Sequence, residues 1–263
     1  MRSFRNLIEN LSQLQARYDA LKGLNLKLNI ERGQPGDDNF ALSNELLTIV
    51  TEKDIITRSG LDIRNYPGGV LGLPEARELF APLLGAKPEE TLVGNNASLL
   101  IISKVLMWAM LKGLLNSPAP WCRENKPKMI VTVPGYDRHF TLLHEIGFEM
   151  VAVRMTKEGP DMNAVEKAAA DPLVKGILFV PTYSNPTGET VSDATVGRLA
   201  AMKTGAADFT IFADDAYVIH HLTDNPRRPK SLLRACEEAG NPDRVYVFSS
   251  TSKTTFALSL IHI

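Results

Sequence analysis

One lysine near the end of the sequence is the first candidate for chemistry. Lys253 closes the segment SSTSK, directly after the apolar run 245–248. A lysine amine placed at the mouth of a cleft can form an imine with a carbonyl compound, whereas a lysine in an ordinary loop is simply a solvated charge. The lysine alone leaves both interpretations open, so the groups that accompany it must decide.

Several other polar or aromatic residues also follow short apolar runs. They are Tyr136, Asn185, Asp214, Tyr217 and Ser250. Each has a plain structural alternative: the segment NPTG that begins at Asn185 is a good β-turn sequence, Asp214 could cap a turn or helix, and Tyr136 could be a half-buried aromatic. The segment GNNAS, residues 94–98, could cap the helix that follows it or present backbone N–H groups to a phosphate.

Taken together, these residues match the needs of pyridoxal phosphate. That cofactor needs a lysine for its aldehyde and a carboxylate that keeps its pyridine nitrogen protonated, so that the ring withdraws electrons. Lys253 and Asp214 would take these two roles. Asn185 and Tyr217 would donate to the phenolic oxygen, and Tyr136 would lie flat against the ring. The phosphate would bind at the helix start, through Asn95, Asn96, Ala97 and Ser98, together with Ser250.

The elements that must position these groups alternate along the chain. Short apolar runs predict strands at 129–133, 149–155, 176–180, 209–213 and 245–248, with helices at 138–146, 162–170, 192–203 and 230–239. This alternation predicts an α/β fold, with a mostly parallel sheet between two layers of helices. Because ligands of open α/β sheets bind beyond the carboxyl ends of the strands, the candidate residues would meet at one edge.

The first part of the chain is less regular. Leu7, Leu11, Leu14, Tyr18 and Leu21 recur at helical spacing, and Gly23 is a plausible end for that helix. We predict irregular structure at residues 24–42 and 65–72 and a helix at 74–84. The apolar stretch 99–115 predicts a buried helix; it contains Lys104 and Lys112 and is shorter than a comfortable membrane span.

Composition excludes several classes of protein. The chain has 263 residues, 44% of them hydrophobic, and 29 Lys and Arg balance 30 Asp and Glu. No basic stripe suggests nucleic-acid binding, and the charged N-terminus lacks the apolar region of a signal peptide. Cys122 and Cys236 are far apart and have no metal-ligand spacing. They fit a cytoplasmic protein without a bound metal better than a disulfide scaffold.

An ordered set of motifs resembles a known family. RGQP, NYPGGVLGLPEAR, YSNPTG, FADDAY and SSTSK occur in the order found in fold-type I aminotransferases, the aspartate aminotransferase superfamily. The resemblance extends over about residues 29–257. A divergent bacterial subgroup, described as aspartate aminotransferases, has segments similar to RGQP, GNNASL, TYSNPTG and SSTSKTTFA.

The resemblance implies a role for each matching residue. Lys253 would be the Schiff-base lysine that carries the proton, Asp214 the pyridinium partner, and His139 its support from behind; the alternative for His139 is a partly exposed helix histidine. Tyr66 would reach the phosphate of a partner subunit in a homodimer. Gly33, unless it is a plain turn glycine, would bring its backbone to the substrate carboxylate, and Asn185 would bind the same carboxylate.

The resemblance also implies a longer chain. Members of the family continue well past the lysine, with an arginine at the phosphate site and a C-terminal small domain that supplies the arginine for the substrate carboxylate. We therefore expect a truncated chain: an N-terminal helix and arm of the small domain at 1–60, an incomplete cofactor-binding large domain at 61–257, and a non-native tail at 258–263. The alternative is a genuinely short relative.

The expected function is that of an aminotransferase. The full-length enzyme would act on aspartate or another acidic amino acid, with 2-oxoglutarate as acceptor and with no nucleic-acid or membrane partner. Without the arginine of the C-terminal small domain, we expect the truncated chain itself to have little or no activity. Lyases and decarboxylases share the cofactor site and remain open. A second alternative is the aminotransferase-like sensor of a transcription regulator, and a third is an unrelated doubly wound binding domain.

Overall fold

The computed structural model describes residues 2–27, 33, 35–64, 69–94 and 97–256, with side chains from residue 10 onward. Its internal contacts divide the chain into two compact units, Met1–Gln34 and Pro35–Ile263. The predicted domain boundaries, at residues 60 and 257, remain predictions.

The first unit contains one long helix. Helix α1 spans Arg2–Gly23, so the predicted amphipathic helix and its end at Gly23 are confirmed. Leu11, Leu14, Tyr18 and Leu21 are all more than half exposed. Because they recur at helical spacing, these exposed side chains form an apolar stripe along one side of α1.

The second unit is built on a mostly parallel sheet. Its strands, within the described residues, are β1 (Lys128–Val133), β2 (Glu149–Thr156), β3 (Gly159–Pro160), β4 (Val174–Phe179), β5 (Thr210–Asp214) and β6 (Val245–Phe248). They lie in the order β3-β2-β1-β4-β5-β6. All neighbours pair in parallel except β2 and β3, so the predicted sheet is confirmed.

Helices cover both faces of this sheet. Helices α2 (Asp37–Ser43) and α3 (Pro74–Phe80) come first in this unit. Helices α4 (Ser98–Lys112) and α5 (Asp137–Ile146) pack on one face of the sheet, and α6 (Met162–Ala169), α7 (Asp193–Ala201) and α8 (Leu232–Glu238) pack on the other. Successive residues of a strand point to opposite faces. Ile211 and Ala213 accordingly join one core, with α6, α7 and α8, and Phe212 joins the other, with α4, α5 and Trp121.

Three details differ from the predictions. Helix α4 is not buried all round: Ile102, Leu106 and Ala109 are fully buried, but Trp108 and Leu111 are more than 60% exposed. Only one side of α4 packs on the sheet, and apolar composition does not say which sides of a helix are covered. Helix α2 occupies part of the stretch predicted to be irregular. The two-residue strand β3 was not predicted, because Gly159–Pro160 has no apolar run.

No helix among the described residues is both long and apolar enough to cross a membrane. The loop residues 65–68 lie outside the described residues.

Candidate active site

The candidate residues gather at the carboxyl edge of the sheet. Asp214 is the last residue of β5 and is in register with Phe248, the last residue of the parallel strand β6. The chains continue side by side: the Asp215 N–H donates to the Phe248 carbonyl at 2.7 Å, and Ser249 Oγ donates to the Asp215 carbonyl at 3.0 Å. Asp214 and the segment that leads to Lys253 therefore lie at the same end of the sheet.

Asp214 is a buried carboxylate held from one side. Its Oδ2 lies 2.9 Å from His139 Nε2, and both residues are at most 3% exposed. The supporting position predicted for His139 is thus observed, and the exposed-histidine alternative is wrong. The other oxygen, Oδ1, is buried without a hydrogen-bond partner among the described residues. Asp214 therefore has an acceptor ready for a donor that the described chain does not supply.

Tyr136 lies next to this pair. Its ring packs edge-on against the His139 ring, with centroids 5.1 Å apart. Burial raises the pKa of Tyr136, and the nearby Tyr217 and Asp214 raise it further. The phenol therefore stays neutral near pH 7 and offers a flat, uncharged face.

Tyr217 and Asn185 meet across two loops. Tyr217 follows β5, Asn185 follows β4, and the Asn185 side chain is near enough to influence the pKa of the Tyr217 phenol. Burial raises the pKa of Tyr217, the charge of Asp214 raises it further, and the Asn185 side chain lowers it. Since the net effect keeps the phenol protonated, Tyr217 can donate a hydrogen bond, as its predicted role requires. The peptide bond Asn185–Pro186 is cis.

Lys253 lies in a short, half-buried turn. The N–H groups of Thr254 and Thr255 donate to the carbonyl of Thr251, at 2.9 and 3.0 Å. The carbonyl of Lys253 lies 3.0 Å from His220 Nε2. Ser250, just before the turn, donates its hydroxyl to Ser252 at 3.0 Å. The predicted lysine and serine are therefore neighbours in one compact segment.

Helix α4 directs its first turn toward the same edge. Ser117, just after this helix, donates its hydroxyl to Asp208, which precedes β5 at the amino edge of the sheet. A helix of 15 residues is about 22 Å long, so its start lies at the opposite, carboxyl edge. Ala97 is the N-cap residue and Ser98 the buried first residue. The first N–H groups of a helix attract anions, and Ala97 and Ser98 are placed where the prediction requires.

Four predicted residues are not brought to the site by the described structure. Tyr66, Asn95 and Asn96 lie outside the described residues. Gly33 is exposed and belongs to the first unit. The predicted roles of these four residues remain predictions.

The structure adds residues that the sequence did not single out. Asp215, beside Asp214, has a buried Oδ1 without a partner among the described residues. Burial raises the pKa of Asp215 to about 6; a hydrogen bond with Thr182 opposes the increase, and the neighbouring Asp214 adds to it. His220 also contacts the lysine turn. Of Asp215 and His220, only Asp215 could have been found from the sequence, because it is the second Asp of FADDAY and stands next to the predicted pyridinium partner.

Comparison with known proteins decides the family. The family model for aspartate amino-transferase matches residues 3–263, nearly the whole chain. The chain belongs to the aspartate aminotransferase family.

Relatives and solved structures agree with this assignment. An aspartate aminotransferase of Corynebacterium glutamicum is 43% identical over 244 residues, which are 93% of this chain and 56% of that protein. The crystal structure of an aspartate transaminase from the same species is 42% identical, with a TM-score of 0.85 over 94% of this chain and 58% of that one. The chain thus spans a little over half the length of these relatives.

A more distant structure shows the fold alone. The α-aminoadipate aminotransferase of Thermus thermophilus, complexed with N-(5'-phosphopyridoxyl)-L-leucine, is 23% identical and has a TM-score of 0.62 over 84% of this chain. The predicted fold of type I aminotransferases is confirmed by these matches together.

Proposed function

We propose that this chain carries the cofactor-binding part of a pyridoxal phosphate-dependent aminotransferase. Its substrates would be aspartate or another acidic amino acid and 2-oxoglutarate. The 43% identity to an enzyme named aspartate aminotransferase supports the reaction class and the choice of an acidic amino acid. We also propose a homodimer, as the family resemblance implies, and a cytoplasmic location, which the two free cysteines support.

One observation carries the cofactor assignment. Asp214 has one carboxylate oxygen held by His139 and the other buried without a partner among the described residues. A buried acceptor of this kind costs free energy unless a donor reaches it. A protonated pyridine nitrogen is a donor of the right charge, so the residues present fit pyridoxal phosphate.

The chain's own groups divide the work as follows. Asp214 would hold a proton on the pyridine nitrogen, and His139 would hold Asp214. Tyr217 and Asn185 would orient the ring through its phenolic oxygen, and Tyr136 would shield one face from water. The first turn of α4 and Ser250 would bind the phosphate.

Lys253 would supply the reactive amine and, when neutral, the base at the substrate Cα. Bound pyridoxal phosphate would supply an aldehyde that reacts with amines and a ring that withdraws electrons from Cα. A positioned general base accelerates proton transfer by about 10²–10⁴-fold. The substrate carboxylate would meet Asn185 and the Gly33 backbone.

The alternatives are less well supported. A transcription-regulator sensor is less well supported because the relative that is 43% identical is named an aspartate aminotransferase. Lyases and decarboxylases share the cofactor chemistry, but no relative named above carries either description.

Product analysis tests the reaction class. The chain, loaded with pyridoxal phosphate, is incubated with aspartate, glutamate, alanine or lysine in the presence of 2-oxoglutarate or oxaloacetate. We expect the 2-oxo acid of an acidic donor to accumulate, and we expect none with the Lys253→Ala variant as control. Release of carbon dioxide or ammonia without a new 2-oxo acid would contradict the aminotransferase assignment.

A further inference from the structure

A histidine outside the family motifs contacts the lysine turn. His220 Nε2 lies 3.0 Å from the Lys253 carbonyl oxygen, although the two residues are 33 positions apart. A carbonyl oxygen can only accept, so Nε2 carries a hydrogen and donates it. Nδ1 is buried without a hydrogen-bond partner among the described residues. The contact with the lysine backbone is therefore the side-chain hydrogen bond that orients this ring in the part of the chain that the structure describes.

The same ring also contacts Tyr217. The two rings pack edge-on, with centroids 5.6 Å apart and an interplanar angle of 84°. The N–H of His220 donates to the Tyr217 carbonyl at 3.0 Å. One short turn, residues 215–220, therefore bears Tyr217 and reaches the backbone of Lys253 through His220.

Contacts near its start, middle and end join the lysine segment to other parts of the chain. At its start, Ser249 donates to the Asp215 carbonyl. At its end, the Phe256 ring stacks on Phe40, with centroids 5.9 Å apart. The His220 contact lies between these two, at the residue whose side chain would react. Without it, the middle of the segment would depend more heavily on the hydrogen bonds from Thr254 and Thr255 to Thr251 within the turn.

We propose that His220 is a positioning residue that fixes the backbone of Lys253 and thereby aims its amine. The proposal rests on the proposed function, since it takes Lys253 as the reactive group. A small misplacement of a reacting group slows the reaction severely. A hydrogen bond from this half-buried ring is a suitable restraint, because it holds the backbone and leaves the amine to react.

Two substitutions separate the hydrogen bond from the ring. His220→Phe keeps an aromatic ring against Tyr217 and removes the Nε2 donor. His220→Gln returns an amide N–H near the same place. His144→Phe is the matched control, because the side chain of His144 on α5 is 76% exposed. Circular dichroism of all three variants verifies that the fold is retained.

Two measurements on the 263-residue chain test the proposal. The first is hydrogen exchange of peptides covering residues 249–256 without cofactor. The second is the rate at which added pyridoxal phosphate becomes attached to Lys253, trapped by borohydride and located by peptide mass. For His220→Phe we expect exchange to be roughly three- to tenfold faster and trapping to be slower by a similar factor. His220→Gln should recover most of both rates, and His144→Phe should match the unsubstituted chain.

The possible failures can be told apart. If His220→Phe leaves the trapping rate unchanged, the positioning role is overturned, whether or not exchange increases. If Gln does not recover the rate, the hydrogen bond is not the cause and the proposal is overturned as well. If the unsubstituted chain is not trapped at Lys253, it is the proposed function that fails first.

Discussion

At the scale of single residues, the site depends on two adjacent carboxylates with different surroundings. Asp214 is paired with His139 and has one oxygen left for a cationic donor. Asp215 has a buried Oδ1 without a hydrogen-bond partner among the described residues, and burial raises its pKa. Two neighbouring carboxyl groups with different environments are typical of sites in which they do different work. Each gives a separate prediction.

Replacing Asp214 by Asn should weaken cofactor binding without preventing it. The amide can still accept from His139 but has no charge for a protonated pyridine nitrogen. A hydrogen bond to a charged group contributes about 1.5–3 kcal/mol, so we expect the dissociation constant of pyridoxal phosphate to rise about 10- to 150-fold, measured by fluorescence titration. At saturating cofactor, covalent trapping at Lys253 should persist. Asp224→Asn, at an exposed loop position, is the control; equal affinities for both variants would contradict the assignment of Asp214.

Replacing Asp215 by Asn should stabilise the chain progressively as the pH rises from about 4 to 6, with the full gain above about pH 6. The folded-state pKa is raised from 3.8 to about 6, so the folded chain binds this proton more tightly than the unfolded chain. Stability of the unsubstituted chain therefore falls as the pH rises from about 4 to 6. One pKa unit corresponds to about 1.4 kcal/mol, and partial solvent screening reduces the total, so we expect Asn to gain roughly 1–3 kcal/mol at pH 7.5 and almost nothing at pH 4. Urea unfolding at both values measures this, and a difference independent of pH would exclude the raised pKa.

At the scale of elements, the amino edge of the sheet is held by a buried polar cluster. Lys175 on β4 is 3% exposed, and its Nζ lies 3.1 Å from Glu124 Oε1 and 3.3 Å from Asp208 Oδ1. Asp208 also accepts from the Trp121 indole at 2.6 Å and from the Ser117 hydroxyl at 2.7 Å. The cluster therefore ties the segment after α4 to the start of β5.

Substitution of Lys175 by Met should be costly, whereas the same change at Lys128 should not. Removing one member of a buried ion pair leaves a buried charge and typically costs about 3–5 kcal/mol. Lys128 on β1 pairs with Asp171 at 2.9 Å, but those side chains are 24% and 38% exposed, and exposed pairs contribute about 0–1 kcal/mol. Free energies of unfolding in urea compare the two variants. Equal losses would mean that the Lys175 cluster is not a buried charge network.

The sequence predicts the elements of the sheet better than their surroundings. Strands β1, β4 and β5 are apolar runs with core residues on both faces, so their positions could be predicted to within two residues. The exposure of Trp108 on α4 could not, because it depends on what covers the helix. The motif order predicted that Asp214 and Lys253 share one edge. The contact between His220 and the Lys253 carbonyl joins residues 33 positions apart through one backbone atom, and no motif or periodicity encodes it.

At the scale of the whole molecule, the chain has a formal net charge close to zero and consists of two compact units. The formal net charge is −1, and the cofactor-binding residues described above all belong to the unit Pro35–Ile263. The chain covers 56–58% of the length of the relatives from Corynebacterium glutamicum. We therefore propose that this unit holds the cofactor through Lys253.

The most direct test of that claim is the site of covalent attachment. The chain is incubated with pyridoxal phosphate, reduced with borohydride, digested, and analysed by peptide mass, with Lys253→Ala as the paired variant. For the unsubstituted chain, we predict one reduced cofactor per chain, attached to Lys253. For Lys253→Ala, we predict that attachment to the remaining lysines does not exceed the level of a denatured control. Stoichiometric attachment to a different lysine, or undiminished attachment in Lys253→Ala, would contradict the account.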